Sequence, residues 1–159
     1  MKKTFLCRMP DGTTATLTMK DANQIIRDKG LDPGGDAQAF HTMNVLRRIK
    51  KFMPFLSGSL YKMTQIQTDI RKPEIVTDAP QAEFLYHGKV MIDPKINAAG
   101  FMTSEGWRSP KGGTKVVTSR NLEYTKTKNP AAGPYWDRAL SAAEGAALAA
   151  DLQRFMNRR

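Results

Sequence analysis

The stretch DAQAFHTMNVLRRIKKFMPFLSGSLYKMTQIQTDI, residues 36–70, decides the fold class of this chain. Its first half repeats Phe40, Met43, Leu46, Ile49 and Met53 at three- and four-residue spacing, which lays one apolar stripe along a helix. Asp36 stands where an N-cap belongs. Pro54 ends the run, because the residue before a proline is pushed out of the α region. The second half changes character. SLYKMTQIQTDI mixes tyrosine, threonine and isoleucine with polar residues, which predicts a strand with one solvated face. RKP marks a turn, and EIVT reads as a shorter partner strand.

Downstream, APQAEFLYHG reads as a short helical turn stopped by Gly88 in a left-handed conformation. Residues 89–133 are punctuated by proline and glycine, with only KVVTS and NLEYTK reading as strands. This predicts a long extended loop of the kind that serves binding or assembly. The chain then ends in a helix from YWDRAL onward, with Trp136, Leu140, Ala143, Ala147, Leu148, Leu152 and Phe155 along one broad side. Its small residues, Ala142, Ala143, Gly145, Ala146 and Ala147, leave room for a close neighbour. Upstream, KTFLCRM and TTATLTM flank the turn signal PDG and predict a hairpin. DANQIIRDKG predicts a short helix begun by Asp21 and stopped by Gly30. LDPGG is a break, so residues 1–35 read as an extension and residues 36–159 as the main domain. The expected fold is α+β: a small antiparallel sheet with the 36–53 helix and the C-terminal helix packed on one face.

At 159 residues the chain fits one domain, and its mixture of 40% hydrophobic and 25% charged residues is that of a folded, water-soluble protein. No apolar run approaches the length of a membrane span, and MKKTFLCRMPDG lacks the apolar core of a signal peptide. Synthesis in the cytoplasm without export is the expectation. Cys7 is the sole cysteine, which rules out an internal disulfide and reads as a small buried hydrophobe. The net charge is +10, with basic runs at Arg47, Arg48, Lys50 and Lys51 and again between Arg108 and Lys128. Such runs either solvate an exposed face or meet a polyanion, whether DNA or an acidic protein surface.

No catalytic constellation emerges. DPGGD and PKGGTK are glycine pairs without the strand–loop–helix setting of a phosphate-binding loop, and LSGSL is a serine–glycine turn. His41, His87 and Cys7 are too few soft ligands for a zinc site. Glu83 precedes His87 by one helical turn, which reads as a surface pair on a short turn. The expectation is a non-enzyme with no metal, no cofactor and no catalytic residue.

The order of segments resembles the minor capsid proteins of tailed bacteriophages. That family has a helix leading to a proline and a Ser/Thr–Gly–x–Leu turn, matched here by Pro54, Ser57, Gly58 and Leu60. Next come Ala79, Pro80, Ala82, Leu85, Tyr86, Gly88 and Lys89, then a loop with Trp107, Arg108, Ser109, Pro110, Lys111 and Gly112. The last match is Ala132, Gly133, Pro134, Trp136, Asp137, Arg138 and Ala139. Gln81 and Glu83 depart from the pattern, where the family has an aromatic and a basic residue, and residues 1–35 lie outside it. The resemblance implies a virion protein of the neck that builds a homo-oligomeric ring, six- or twelvefold, and joins the head connector to the tail. Its partners would be other neck and tail proteins: the connector or head-closure protein, and the tail terminator or tail tube. Trp107, Arg108, Lys111, Tyr124 and Trp136 are the candidate interface residues, although Trp107 and Tyr124 suit a role over their own core equally well. Arg47, Arg48, Lys50 and Lys51 are candidates for contact with DNA in the channel or with acidic partners. A rival expectation is a free basic nucleic-acid-binding protein, against which no recognised module and no interleaved aromatics appear.

Overall fold

The computed structural model describes residues 3–158, apart from the side chains of Lys3, Cys7, Leu17 and Trp107; the reading of Cys7 therefore lies outside the described residues. The fold is α+β. A hairpin, β1 (Lys3–Arg8) and β2 (Thr14–Met19), leads to α1 (Ala22–Asp28) and the long helix α2 (Asp36–Ile49). Two shorter helices follow, α3 (Ser59–Gln67) and α4 (Ala82–His87). Strands β3 (Lys89–Ile92), β4 (Phe101–Thr103), β5 (Gly106–Arg108) and β6 (Val116–Asn121) precede the terminal helix α5 (Trp136–Asn157).

The antiparallel pairing is divided among three two-stranded ladders, β1–β2, β3–β6 and β4–β5. The core is helical. Ile49, Phe52, Met53, Leu60, Ala79, Ala82, Trp136, Leu140 and Leu148 form one buried cluster contributed by α2, α3, α4, α5 and the turns between them. Full burial of one such large apolar side chain contributes about 1.5–3 kcal/mol. Leu46, Ile49 and Met53 are inside as their spacing predicts, whereas Met43 is exposed and Phe40 stacks on Phe155 with ring centroids 4.3 Å apart. The N-cap of α2 is Gly35 rather than Asp36, because Gly35 O accepts the first helical bond from Ala39 N. Asp36 sits instead in the first turn, where its charge suits the helix dipole.

The largest correction concerns residues 59–70, read as a strand: 59–67 form helix α3 and 68–70 follow it without forming a strand. Leu60 and Thr64 are one turn apart and both buried, and Thr64 has no exposure at all. A threonine can go inside here because its hydroxyl donates to Leu60 O at 3.0 Å and shares a bond with Thr77 Oγ1 at 2.7 Å. Tertiary packing overrides the β propensity of the segment. EIVT is correspondingly not a strand. The 76–78 backbone is stitched to side chains at the end of α3: Gln67 donates to Asp78 O at 2.8 Å and accepts from Asp78 N at 2.7 Å, while Oγ1 of Thr68, the residue after the helix, accepts from Val76 N at 3.1 Å. With those groups engaged, no ladder forms.

Residues 89–133 are also more regular than a long loop. They hold four short strands, of which KVVTS falls in β6 while NLEYTK contributes Asn121 alone. Strands β3, β4 and β5 escape notice because three or four residues beside glycine carry little alternation. Glycine allows one close approach here: a Cβ on Gly113 would lie 2.1 Å from Oδ2 of the buried Asp93. The segment then returns to the core. Asn129 Nδ2 donates to Lys50 O (2.8 Å) and Met53 O (2.9 Å), and Gly133 N donates to Phe52 O (3.2 Å), which satisfies carbonyls that the end of α2 leaves open. Along α5, Trp136, Leu140 and Leu148 are buried, Leu152 and Phe155 are half-buried, and Ala142, Ala143 and Ala146 remain exposed.

Candidate interaction surfaces

The corner at Gly88 brings the most side chains together. Gly88 caps α4 with φ of 67°, and its N–H donates to Phe84 O. Leu122 N donates to Gly88 O at 2.9 Å, Tyr124 Oη donates to Leu85 O at 2.5 Å, and Tyr135 N donates to Tyr86 O at 2.9 Å. Tyr86 meets His87, Tyr135 and Trp136 edge to face, with ring centroids 5.3, 5.2 and 5.0 Å away, and its hydroxyl donates to Asp137 at 2.8 Å. That bond, with burial and the Asp137 charge adding to it, holds the Tyr86 hydroxyl above its ordinary pKa. These contacts lock helix to strand. A Cβ on Gly88 would sit 3.0 Å from Pro134 Cβ and 3.1 Å from Tyr124 Oη. Gly88→Ala is therefore expected to cost about 1–2 kcal/mol for the left-handed backbone alone, and more as Pro134 is displaced. The urea midpoint will measure it.

The basic run 47–51 does not stay together. Arg48 lies between α2 and α5, bonded to Glu144 (2.5 Å) and Asp151 (2.5 Å), with all three side chains 14–18% exposed. Lys51 also reaches Glu144, at 2.7 Å. Asn44, itself buried, donates to Asp151 at 2.9 Å and accepts from Arg47 at 2.8 Å. Arg48 and Lys51 thus hold two helices together, while Arg47 and Lys50 keep exposed side chains, with Lys50 5.4 Å above the Tyr61 ring.

The candidate interface residues also separate. Trp136 is in the core, 6% exposed, and Tyr124 braces the corner. Arg108 and Lys111 are exposed, with Arg108 paired to Glu105 at 2.5 Å; the side chain of Trp107 lies outside the described residues.

Two features were hidden from sequence reasoning. One is uncovered apolar surface on the hairpins. Phe5, Leu6 and Met19 in β1–β2, and Phe101 and Met102 in β4–β5, are 47–75% exposed. The other is a groove of about 820 Å³ between α2, α4 and α5. Val45, Ile49, Ala82, Trp136, Leu140 and Leu148 are among the residues of its apolar floor; Asp78, Glu83 and Asp137 stand at its rim beside His41 and His87. The sequence signal was the Glu83–His87 couple, whose partners lie too far along the chain to be inferred. Among the described residues no cluster of His, Cys, Asp or Glu could hold a metal ion, and no helix is long and apolar enough to cross a membrane. No family model, curated protein or solved structure matches the chain.

Proposed function

We propose that this chain is a structural subunit of a tailed-bacteriophage virion, placed at the neck, where copies form a ring that joins the head connector to the tail. The observation that carries the reading is the pair of hairpins, β1–β2 and β4–β5, which hold large apolar residues out in solvent. An isolated two-stranded hairpin is marginally stable in water and needs a surface to cover its apolar side. A subunit with projecting apolar elements and a rigid helical core is built for association, and a closed ring uses such heterologous contacts. The resemblance in segment order supplies the phage setting. Among the candidate cations, Arg47, Lys50 and Lys111 keep exposed side chains that can face DNA or acidic neighbours.

The test is electron microscopy of particles from a phage lysate lacking only this product. DNA-filled heads and finished tails lying unjoined are expected. Normal infectious particles would overturn the reading.

A further inference from the structure

We propose that the β1–β2 hairpin of one copy seats its apolar face in the acid-rimmed groove of the next copy, making a head-to-tail contact. The inference rests on the ring reading above for its closure, but the contact itself is read from the two surfaces.

The hairpin is amphipathic. Its register pairs Lys3 with Met19, Phe5 with Leu17 and Cys7 with Ala15. Successive residues of a strand point to opposite faces, so Phe5, Ala15 and Met19, whose side chains are described, share one apolar face. The other face carries Thr4, Thr14, Thr16 and Thr18, with Leu6 and Arg8. Phe5 is 47% exposed and Met19 52%, so these two apolar side chains are uncovered within the chain. Among the described residues, none of the hairpin lines the groove of its own chain.

Charge selects the occupant. Residues 1–20 hold Lys2, Lys3, Arg8 and Lys20 against Asp11 alone, and with Lys20 already paired to Asp28 at 2.8 Å the segment still carries a net positive charge. The groove has Asp78, Glu83 and Asp137 at its rim and, among the described residues, no lysine or arginine in its lining, in a chain whose net charge is +10. A basic amphipathic hairpin and an acid-rimmed apolar groove on one chain are complementary between copies. The β4–β5 hairpin lacks this bias, since Arg108 is already paired with Glu105.

The purified full chain tests this by light scattering after size-exclusion chromatography, using two exposed-site variants. Phe5→Asp damages the hairpin and leaves the groove; Asp78→Lys with Glu83→Lys reverses the rim and leaves the hairpin. Wild type is expected to run at a multiple of 17.7 kDa, and each variant alone at the monomer mass with unchanged circular dichroism. Mixed, the two variants should form a one-to-one pair and nothing larger, because the mixture retains only one complementary hairpin–groove combination. A wild type that stays monomeric, a variant that assembles like wild type, or a mixture that remains monomeric would each overturn the proposal. All of these results are independent of where the protein sits in a virion, which the lysate experiment decides.

Discussion

Trp136→Ala is expected to lower stability by about 3–5 kcal/mol, as truncation of a buried tryptophan does when its surroundings cannot collapse. Trp136 opens α5 and is 6% exposed among Ile49, Met53, Ala82 and Leu140 of the core cluster. Its indole meets the Tyr86 ring edge to face at 5.0 Å, a geometry that contributes about 0.5–1.5 kcal/mol beyond area. Tyr86 in turn bonds Asp137 and accepts from Tyr135, so the cavity would open where α4 and α5 are joined. Neither helix can close it without breaking those bonds. A domain of this kind starts with about 5–15 kcal/mol, so the variant remains measurable by urea unfolding of the monomer. Trp136→Phe keeps a ring against Tyr86 and should lose clearly less. A Trp136→Ala chain with the wild-type midpoint and impaired association would instead make Trp136 an interface residue.

The helices α2 and α5 were legible because their inward residues are apolar and regularly spaced: Leu46, Ile49 and Met53, then Trp136, Leu140 and Leu148. Helix α3 was not, because one of its two buried positions and the residue after it break that code. Thr64 and Thr68 are polar and β-branched, yet buried, with hydroxyls engaged by Leu60 O, Thr77 and the 76–78 backbone. The corner at Gly88 was readable as a corner, since a glycine after a short helix is a strong local signal. Its bracing by Tyr124 and Tyr135 was not, because those residues are 39 and 49 positions away from the carbonyls they bond. The groove failed for the same reason: Glu83 and His87 are neighbours in sequence, while His41 and Asp137 arrive from α2 and α5. Charge was legible as a total and illegible as a distribution. Arg48 looked like one of four equivalent cations until α5 brought Glu144 and Asp151 beside it.

That distribution sets a second large effect. Arg48→Met is expected to lower the melting temperature markedly at pH 7, because it leaves two carboxylates between α2 and α5 without the cation that joins them. Hydrogen bonds from Asn44, Arg154 and Arg48 hold the Asp151 carboxyl well below the usual carboxylate range. Bonds from Lys51 and Arg48 lower Glu144 likewise. For a carboxylate depressed by folding, the stabilisation is complete above its unfolded value of about 4 and is lost as pH falls through the folded value. Wild type should therefore lose stability on acidification below pH ~4, and Arg48→Met should lose less over the same range. Melting curves from pH 7 to 2.5 would then converge; curves that stay parallel would mean the network contributes nothing. Arg47→Ala and Lys50→Ala provide the contrast, because their side chains are exposed. These two should leave melting almost unchanged and reduce any salt-dependent affinity for duplex DNA. If Arg48 alone governed DNA affinity while the melting temperature held, the ion pairs to α5 would be incidental and the cation would belong to the surface.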